Sequence, residues 1–259
     1  MFFNRQAFND CFTQGEVISD NLASPLQVLQ HNSIRWMQSD TEYLQAAIDT
    51  DNPATPVIAY VQAMMMSLAM GNVPRRLLNL GVGGGAVERF IAEHVRDCKT
   101  ESVELNGDIL QAARTYFGLP EGATMYEVDA FAFILQCTER YDFICVDLFG
   151  SANCQTQLMD ETLWKALCER VDISGCLVMN LLLTEQSQLI QVVTLIRQFF
   201  SHVVIFHIED FQNVVIYCRH EPFMSHMYLQ RNADALTGRW GLDFNQLLPH
   251  LTYLPEPVR

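Results

Sequence analysis

From residue 76 onward, short apolar runs alternate with segments whose apolar positions recur at helical spacing. The runs have the length and composition of buried β-strands, and they span 76–82, 100–105, 124–129, 141–148 and 175–182. Segments with helical spacing lie between them, at 86–94, 107–117, 130–136 and 161–170. Because strands that alternate with helices form a parallel sheet through right-handed crossovers, the pattern predicts an α/β fold.

The end of this pattern predicts a change of strand direction. A further helical segment at 187–200 is followed by two apolar runs at 202–209 and 213–218. The gap between these runs is too short for a crossover helix, so we expect them to pair antiparallel. The prediction is a seven-stranded, mostly parallel sheet with an antiparallel terminal hairpin. This order resembles the Rossmann-like fold of S-adenosylmethionine-dependent methyltransferases.

The flanks of the α/β pattern read differently. Short β-like runs at 26–30 and 33–37 surround a turn signal and predict a small N-terminal β-hairpin region at 1–50. The α/β domain is expected at 51–220 and opens with an apolar helix. The tail has helical spacing at 224–235 and 242–251, which predicts a C-terminal helical extension at 221–259.

Composition excludes several classes of function. Apolar residues make up 49% of the 259 residues, enough for a sizeable core, and the formal net charge of −14 argues against nucleic-acid binding. The longest apolar stretch, 56–70, is too short to span a bilayer, so no membrane association is expected. The eight cysteines form no Cys-x-x-Cys pair, and no metal site is predicted. We expect a reducing, cytoplasmic location.

A glycine cluster, 81–85, ends the first strand of the α/β pattern. Glycines such as Gly81, Gly83 and Gly85 let the backbone turn tightly and approach a ligand closely. The next apolar run ends in Glu104, about 20 residues further on, where nucleotide-binding α/β units place the acid that holds the ribose. The domain at 51–220 is therefore predicted to bind a nucleotide.

Two further strands also end in carboxylates. Asp129 follows the third strand and Asp147 the fourth, beside the glycine cluster and Glu104. Ligands of open parallel sheets bind outside the carboxyl ends of the strands, so we expect these groups to share one rim. The structural alternative for each acid is a solvated loop residue or a helix N-cap.

These motifs together resemble the spermidine synthase family, the polyamine aminopropyltransferases. The resemblance rests on Gly81-Val82-Gly83-Gly84-Gly85, Val103-Glu104-Leu105-Asn106, Val128-Asp129-Ala130 and Tyr141-Asp142-Phe143-Ile144-Cys145-Val146-Asp147.

The resemblance implies a role for each matched residue. Glu104 would hold the ribose hydroxyls, and Asp129, with Ala130 beside it in the motif, would bind the adenine. Gln45 and Tyr60 would lie near the thioether side of the nucleotide. Asp147 would be the catalytic base that deprotonates an attacking amine. The implied co-substrate is S-adenosylmethionine or its decarboxylated form, the implied acceptor is a small amine, and the implied assembly is a homodimer.

Two departures from the family pattern bear on the reaction. Gly84 stands where the family has an aspartate that grips the amino end of the decarboxylated donor, and Gly150 stands where a second aspartate helps hold a diamine. Each lost charge-assisted hydrogen bond is worth roughly 1.5–3 kcal/mol. Methyl transfer and aminopropyl transfer therefore both stay open.

Two other classes of function are compatible with parts of the pattern. A catalytically decayed synthase would keep Glu104 and Asp129 for nucleotide binding or regulation without chemistry. A nicotinamide-dependent oxidoreductase would explain the glycines and Glu104. It would give no reason for Asp129, Asp147 or the closing antiparallel hairpin.

Overall fold

The computed structural model describes residues 13–19, 22, 25–39, 43–148, 157–182, 185–208 and 212–256. The described part of the chain contains an eight-stranded sheet and a four-stranded sheet. The strands are β1 (Glu16–Val17), β2 (Leu26–His31), β3 (Ile34–Ser39), β4 (Tyr43–Asp49), β5 (Arg76–Leu80), β6 (Lys99–Glu104), β7 (Thr124–Glu127), β8 (Tyr141–Val146), β9 (Val171–Leu182), β10 (His202–His207), β11 (Asn213–Arg219) and β12 (Leu251–Tyr253). The α-helices are α1 (Ala59–Met65), α2 (Ala86–His94), α3 (Gly107–Tyr116), α4 (Ala130–Gln136), α5 (Glu161–Arg170), α6 (Gln186–Ile196), α7 (His226–Trp240) and α8 (Phe244–Leu247). Short 3₁₀ helices span Met66–Ala69 and Leu248–His250.

The large sheet has the strand order β12-β10-β11-β9-β8-β5-β6-β7. The strands from β7 to β9 pair in parallel, and β11 then pairs antiparallel with both β9 and β10. The predicted α/β fold class, with its antiparallel terminal hairpin, is confirmed. The order reverses between β5 and β8, so the carboxyl ends of these two strands form the crevice where such sheets bind ligands.

The sheet has one strand more than the seven predicted. The helical spacing predicted for 242–251 ends early, because Pro249 lies in a 3₁₀ turn that follows α8. The chain then runs beside β10 as β12, with Thr252 opposite Ile205. This pairing covers an edge that β10 would otherwise expose.

The N-terminal region is a four-stranded antiparallel sheet rather than a single hairpin. The predicted hairpin is present as β2 and β3, and Asn32 in its turn has the positive φ of 52° that such tight turns need. Strand β1 extends one edge of this hairpin and β4 the other. A cluster of Leu26, Val28, Met37 and Ala46 packs this sheet against Ala112 of α3.

Both faces of the large sheet are buried under helices. Along β5, Leu77 lies in a core cluster with α1, α2 and α7, whereas Leu78 lies in a second cluster with α4, α5 and α6. This alternation follows from the two-residue period of a strand. Because the faces are covered, the strand ends at the rim are where a ligand can approach the sheet.

Candidate functional site

A tight glycine turn connects β5 to α2. Gly81, Gly83 and Gly85 have positive φ angles of 97°, 51° and 76°. A Cβ on Gly81 would lie 2.1 Å from the Asp147 carbonyl oxygen. Positive φ disfavours residues with a side chain, and the close approach at Gly81 leaves no room for one. The glycines thus let the turn pass directly against the end of β8.

Glu104 ends β6 and faces this turn, as predicted. Its Oε2 accepts hydrogen bonds from the amides of Val82 at 3.1 Å and Gly83 at 3.4 Å. Its Oε1 accepts a bond from the amide of Asn106 at 3.0 Å. The carboxylate is therefore held by backbone amides of the glycine turn and of the turn after β6.

Asp129 is the N-cap of α4, and its Oδ1 accepts a hydrogen bond from the amide of Ala132 at 2.8 Å. Asp129 therefore acts as a helix N-cap, which was the structural alternative to a binding role. The cap uses one of its two carboxylate oxygens. Ala130 is buried in the first turn of α4. Leu105, which is 67% exposed, and Val128 follow the neighbouring strands and give this edge an apolar surface.

Asp147 has a different environment, built from side chains. Its Oδ1 accepts a hydrogen bond from Nδ2 of Asn180 at 2.9 Å, and the hydroxyl of Tyr60 also hydrogen-bonds the carboxylate. The Asp147 amide donates to the Leu80 carbonyl oxygen at 2.8 Å, which fixes the backbone beside the glycine turn. Burial raises the pKa of Asp147 to about 7, against the lowering effect of the two hydrogen bonds, and the nearby charge of Glu104 raises it further.

Tyr60 lies on α1 and acts as the donor in its bond with Asp147. Burial, followed by the adjacent Asp147 charge, raises the pKa of Tyr60 well above its usual value. The phenol therefore keeps its proton at neutral pH. Asp147 consequently faces two hydrogen-bond donors, from Tyr60 and Asn180, and is held in position as an acceptor.

Gln45 belongs to β4, and its Nε2 donates to Oγ of Ser39 at 3.2 Å. It lines a pocket between the small sheet, α1 and the glycine turn, together with Tyr60, Gly83 and Asp147. The structure therefore brings these four residues and Gly81 to one pocket, whereas Gly85, the N-cap of α2, does not line it. Glu104 and Asp129 lie along the rim of the same sheet, outside that pocket.

Gly84 faces the small sheet. A Cβ at this position would lie 2.6 Å from the Cβ of Ala46 and 3.1 Å from Cδ1 of Phe117. Any side chain here would force the small sheet away from the glycine turn. A Gly84→Asp variant would therefore disturb packing as well as add a charge. For this reason, donor preference is better tested by comparing donors on the wild-type protein than by this substitution. Gly150 lies outside the described residues.

Sequence reasoning missed Asn180 and Asn213. Asn180 is 4% exposed near the end of β9, and its Oδ1 accepts a hydrogen bond from Nδ2 of Asn213 at 3.1 Å. A polar residue that interrupts the buried run of Leu177 to Leu181 was the available signal. Within the described ranges, no group of three or more His, Cys, Asp or Glu side chains could hold a metal ion. The helices described are all too short or too polar to cross a bilayer.

Comparison with known proteins shows which proteins this chain is similar to. No protein-family model matches the chain. A polyamine aminopropyltransferase of Chromobacterium violaceum is 26% identical over 231 residues, which cover 87% of this chain and 88% of that protein. An eEF1A lysine and N-terminal methyltransferase homolog of Drosophila pseudoobscura pseudoobscura is 22% identical over 179 residues, 65% of this chain and 27% of that protein.

Two solved structures show the same fold. Human methyltransferase-like protein 13 in complex with SAH has a TM-score of 0.65 at 20% identity, covering 70% of this chain and 92% of that one. A spermidine synthase in complex with the transition state analogue AdoDATO has a TM-score of 0.65 at 12% identity, covering 92% of this chain and 84% of that one. The chain is thus spermidine-synthase-like and has the methyltransferase fold.

Proposed function

We propose that this protein is an alkyl transferase that uses an S-adenosylmethionine-type donor and a small amine acceptor. The observation that carries the proposal is the position of Asp147, which lies against the glycine turn and is held by Tyr60 and Asn180. The relatives named as an aminopropyltransferase and a methyltransferase both support alkyl transfer.

The chemistry requires a base more than it requires an activated leaving group. A sulfonium leaves readily, so the enzyme mainly has to align donor and acceptor. An alkylamine resembles lysine, with a pKa of about 10.4, and it must lose a proton before its nitrogen can attack. Asp147, with its pKa raised to about 7, is a stronger base than an ordinary aspartate and is still ionised above neutral pH. It would therefore accept this proton before the nitrogen attacks the donor carbon. The bond from that carbon to the sulfonium sulfur then breaks as the new carbon–nitrogen bond forms.

The proposed nucleoside site lies along the rim at β6 and β7. Glu104 would exchange part of its bonding to the glycine-turn amides for the ribose hydroxyls of the donor. Asp129 has one oxygen in the cap of α4, and its other oxygen would accept from the adenine amino group beside Ala130. The exposed Leu105 would cover a face of the adenine ring.

We propose that ordinary S-adenosylmethionine binds at least as well as its decarboxylated form. Among the described residues that line the pocket, Asp147 is the one with a carboxylate, and the glycine turn carries none. Two negative groups about 4 Å apart repel by roughly 4 kcal/mol at an effective dielectric constant near 20. Without an acid at position 84, the carboxylate of the ordinary donor escapes that penalty.

Calorimetric titration with S-adenosylmethionine, decarboxylated S-adenosylmethionine and methylthioadenosine tests the donor site. A product assay with a panel of amines then identifies the reaction, because methyl transfer releases S-adenosylhomocysteine and aminopropyl transfer releases methylthioadenosine. Strong selectivity for the decarboxylated donor would restore plain aminopropyl transfer. Tight nucleoside binding without turnover would favour the catalytically decayed alternative. The homodimer and the cytoplasmic location stay predictions.

A further inference from the structure

A chain of side-chain hydrogen bonds runs from β11 through β9 to Asp147. Nδ2 of Asn213 donates to Oδ1 of Asn180 at 3.1 Å, and Nδ2 of Asn180 donates to Oδ1 of Asp147 at 2.9 Å. Asn180 is buried, and Asn213 and Asp147 are half-buried. Both bonds point the same way, with each donor directed toward the carboxylate.

The direction of this chain is coupled to the charge of Asp147. An asparagine amide presents a donor on one side and an acceptor on the other, so turning Asn180 over would aim its oxygen at Asp147. Two facing acceptors repel unless the carboxyl group is protonated. The donor from Asn213 holds the oxygen of Asn180 on the far side and so opposes that reversal.

We infer that Asn213 is a positioning residue for the proposed reaction: by orienting the amide of Asn180, it keeps a donor on Asp147 and favours the ionised carboxylate that acts as the base. Asn213 is separated from the carboxylate by the whole of the Asn180 side chain. The inference rests on the proposed role of Asp147.

A test of this inference must leave the titratable groups around Asp147 unchanged. Tyr60 faces Asp147 from α1, Glu104 faces it from β6, and Cys145 lies in β8, two residues before it. Asn180 and Asn213, from β9 and β11, carry no charge. Replacing either asparagine with leucine therefore changes the hydrogen bonding around Asp147 without adding or removing a charge.

The test is a double-mutant cycle read on the carboxyl group itself. The protein is labelled with ¹³C at aspartate side chains, the Asp147 signal is assigned by its absence in Asp147→Asn, and its chemical shift is followed against pH. We expect Asn180→Leu to raise the proton affinity of Asp147 by about 10- to 100-fold, the worth of a hydrogen bond to a charged group. We expect Asn213→Leu to raise it by a smaller factor, about 3- to 10-fold, because Asn180 is then free to turn over.

The decisive variant combines the two changes. If Asn213 acts through Asn180, the double variant should titrate like Asn180→Leu alone. Asn245, a half-buried asparagine on α8 bonded to Gln230 at 2.6 Å, supplies the control, since Asn245→Leu should leave the Asp147 titration unchanged. Asn213→Ala repeats the test with less steric demand if the leucine variant does not fold.

Two results would overturn the inference: an Asp147 titration unmoved by Asn213→Leu and Asn213→Ala, or a full additional effect of Asn213→Leu in the Asn180→Leu background. The measurement needs no turnover. A wild-type protein that transfers no alkyl group would therefore refute the proposed function and leave the hydrogen-bond cycle interpretable. If the protein is active, the acidic limb of the kcat/KM profile of each variant should move to higher pH by the logarithm of its change in proton affinity.

Discussion

Three carboxylates end strands of the same sheet, yet the two sides of the rim hold them differently. Glu104 and Asp129, on the β6–β7 side, accept hydrogen bonds from backbone amides. Those bonded to Glu104 lie in the glycine turn and in the turn after β6, and the one bonded to Asp129 lies in the first turn of α4. Asp147, on the β8–β9 side, is bonded by side chains from α1 and β9, and its surroundings raise its pKa to about 7. The first two carboxylates are held by backbone amides of turns at the rim, and the third is held by side chains from two other elements.

The difference separates binding from chemistry. A carboxylate held in place by backbone amides suits hydrogen bonds to hydroxyl or amino groups, because its acceptor oxygens are already oriented in the free protein. A carboxylate in a desolvated site can take up a proton near neutral pH, which is what a general base has to do. The two sides of the rim thus match the proposed nucleoside site and the proposed reaction site.

The largest effect should come from removing the base. We expect Asp147→Asn to lower the turnover number by about two to four decades while leaving donor affinity unchanged, because shape is kept and the proton acceptor is lost. Steady-state kinetics with calorimetric titration of the donor measures both quantities. Asp142→Asn, on the other end of β8 where the carboxylate accepts from the amides of Arg75 and Arg76, is the matched control. Wild-type turnover in Asp147→Asn would reduce Asp147 to a positioning or capping residue.

The pH dependence of kcat/KM should report the ionisation of Asp147. The pKa of Asp147 is raised to about 7, so the base is lost as pH falls through that value. We expect kcat/KM to fall about tenfold for each pH unit below 7, or about 100-fold at pH 5. The ionisation of the amine acceptor, near pH 10, forms a separate limb. A flat profile between pH 5 and 8 would contradict a base with these surroundings.

The sequence placed all three acids at strand ends but did not predict the side chains that hold Asp147. Glycine clusters and acids at strand ends are features of short segments, so the three acids could be placed from the sequence, and Glu104 also from its distance to the glycines. The bonds that define Asp147 join α1, β8, β9 and β11, and no local pattern reports such pairing. For the same reason β12 was missed, because Leu251–Tyr253 becomes a strand only where β10 offers an edge.

An intermediate effect is expected at the nucleoside site. Glu104→Ala should weaken methylthioadenosine binding by roughly 1.5–3 kcal/mol, about one to two decades, through loss of a charged acceptor for the ribose. Calorimetric titration measures this change. Glu127→Ala is the matched control, since Glu127 ends β7 directly opposite Glu104 and has no proposed role. Equal affinity in Glu104→Ala and wild type would show that the ribose is bound elsewhere.

The smallest effect is expected in the free energy of unfolding, which should respond differently to substitutions at Asp147 and at Glu104. The folded-state pKa of Asp147 lies above its unfolded value, so the folded protein loses stability as pH rises from about 4 to about 7 and gains none back above it. Asp147→Asn removes that penalty. We therefore expect it to raise the free energy of unfolding by about 1–2 kcal/mol at pH 8, with the gain shrinking toward zero near pH 4.

Denaturant unfolding at both pH values measures this gain in stability. Glu104→Gln should show no such gain, because the substitution removes a carboxylate that accepts hydrogen bonds from the amides of Val82, Gly83 and Asn106. If Asp147→Asn were no more stable than wild type at pH 8, or if Glu104→Gln were stabilised equally, the contrast between a desolvated base and a binding group held by backbone amides would not hold.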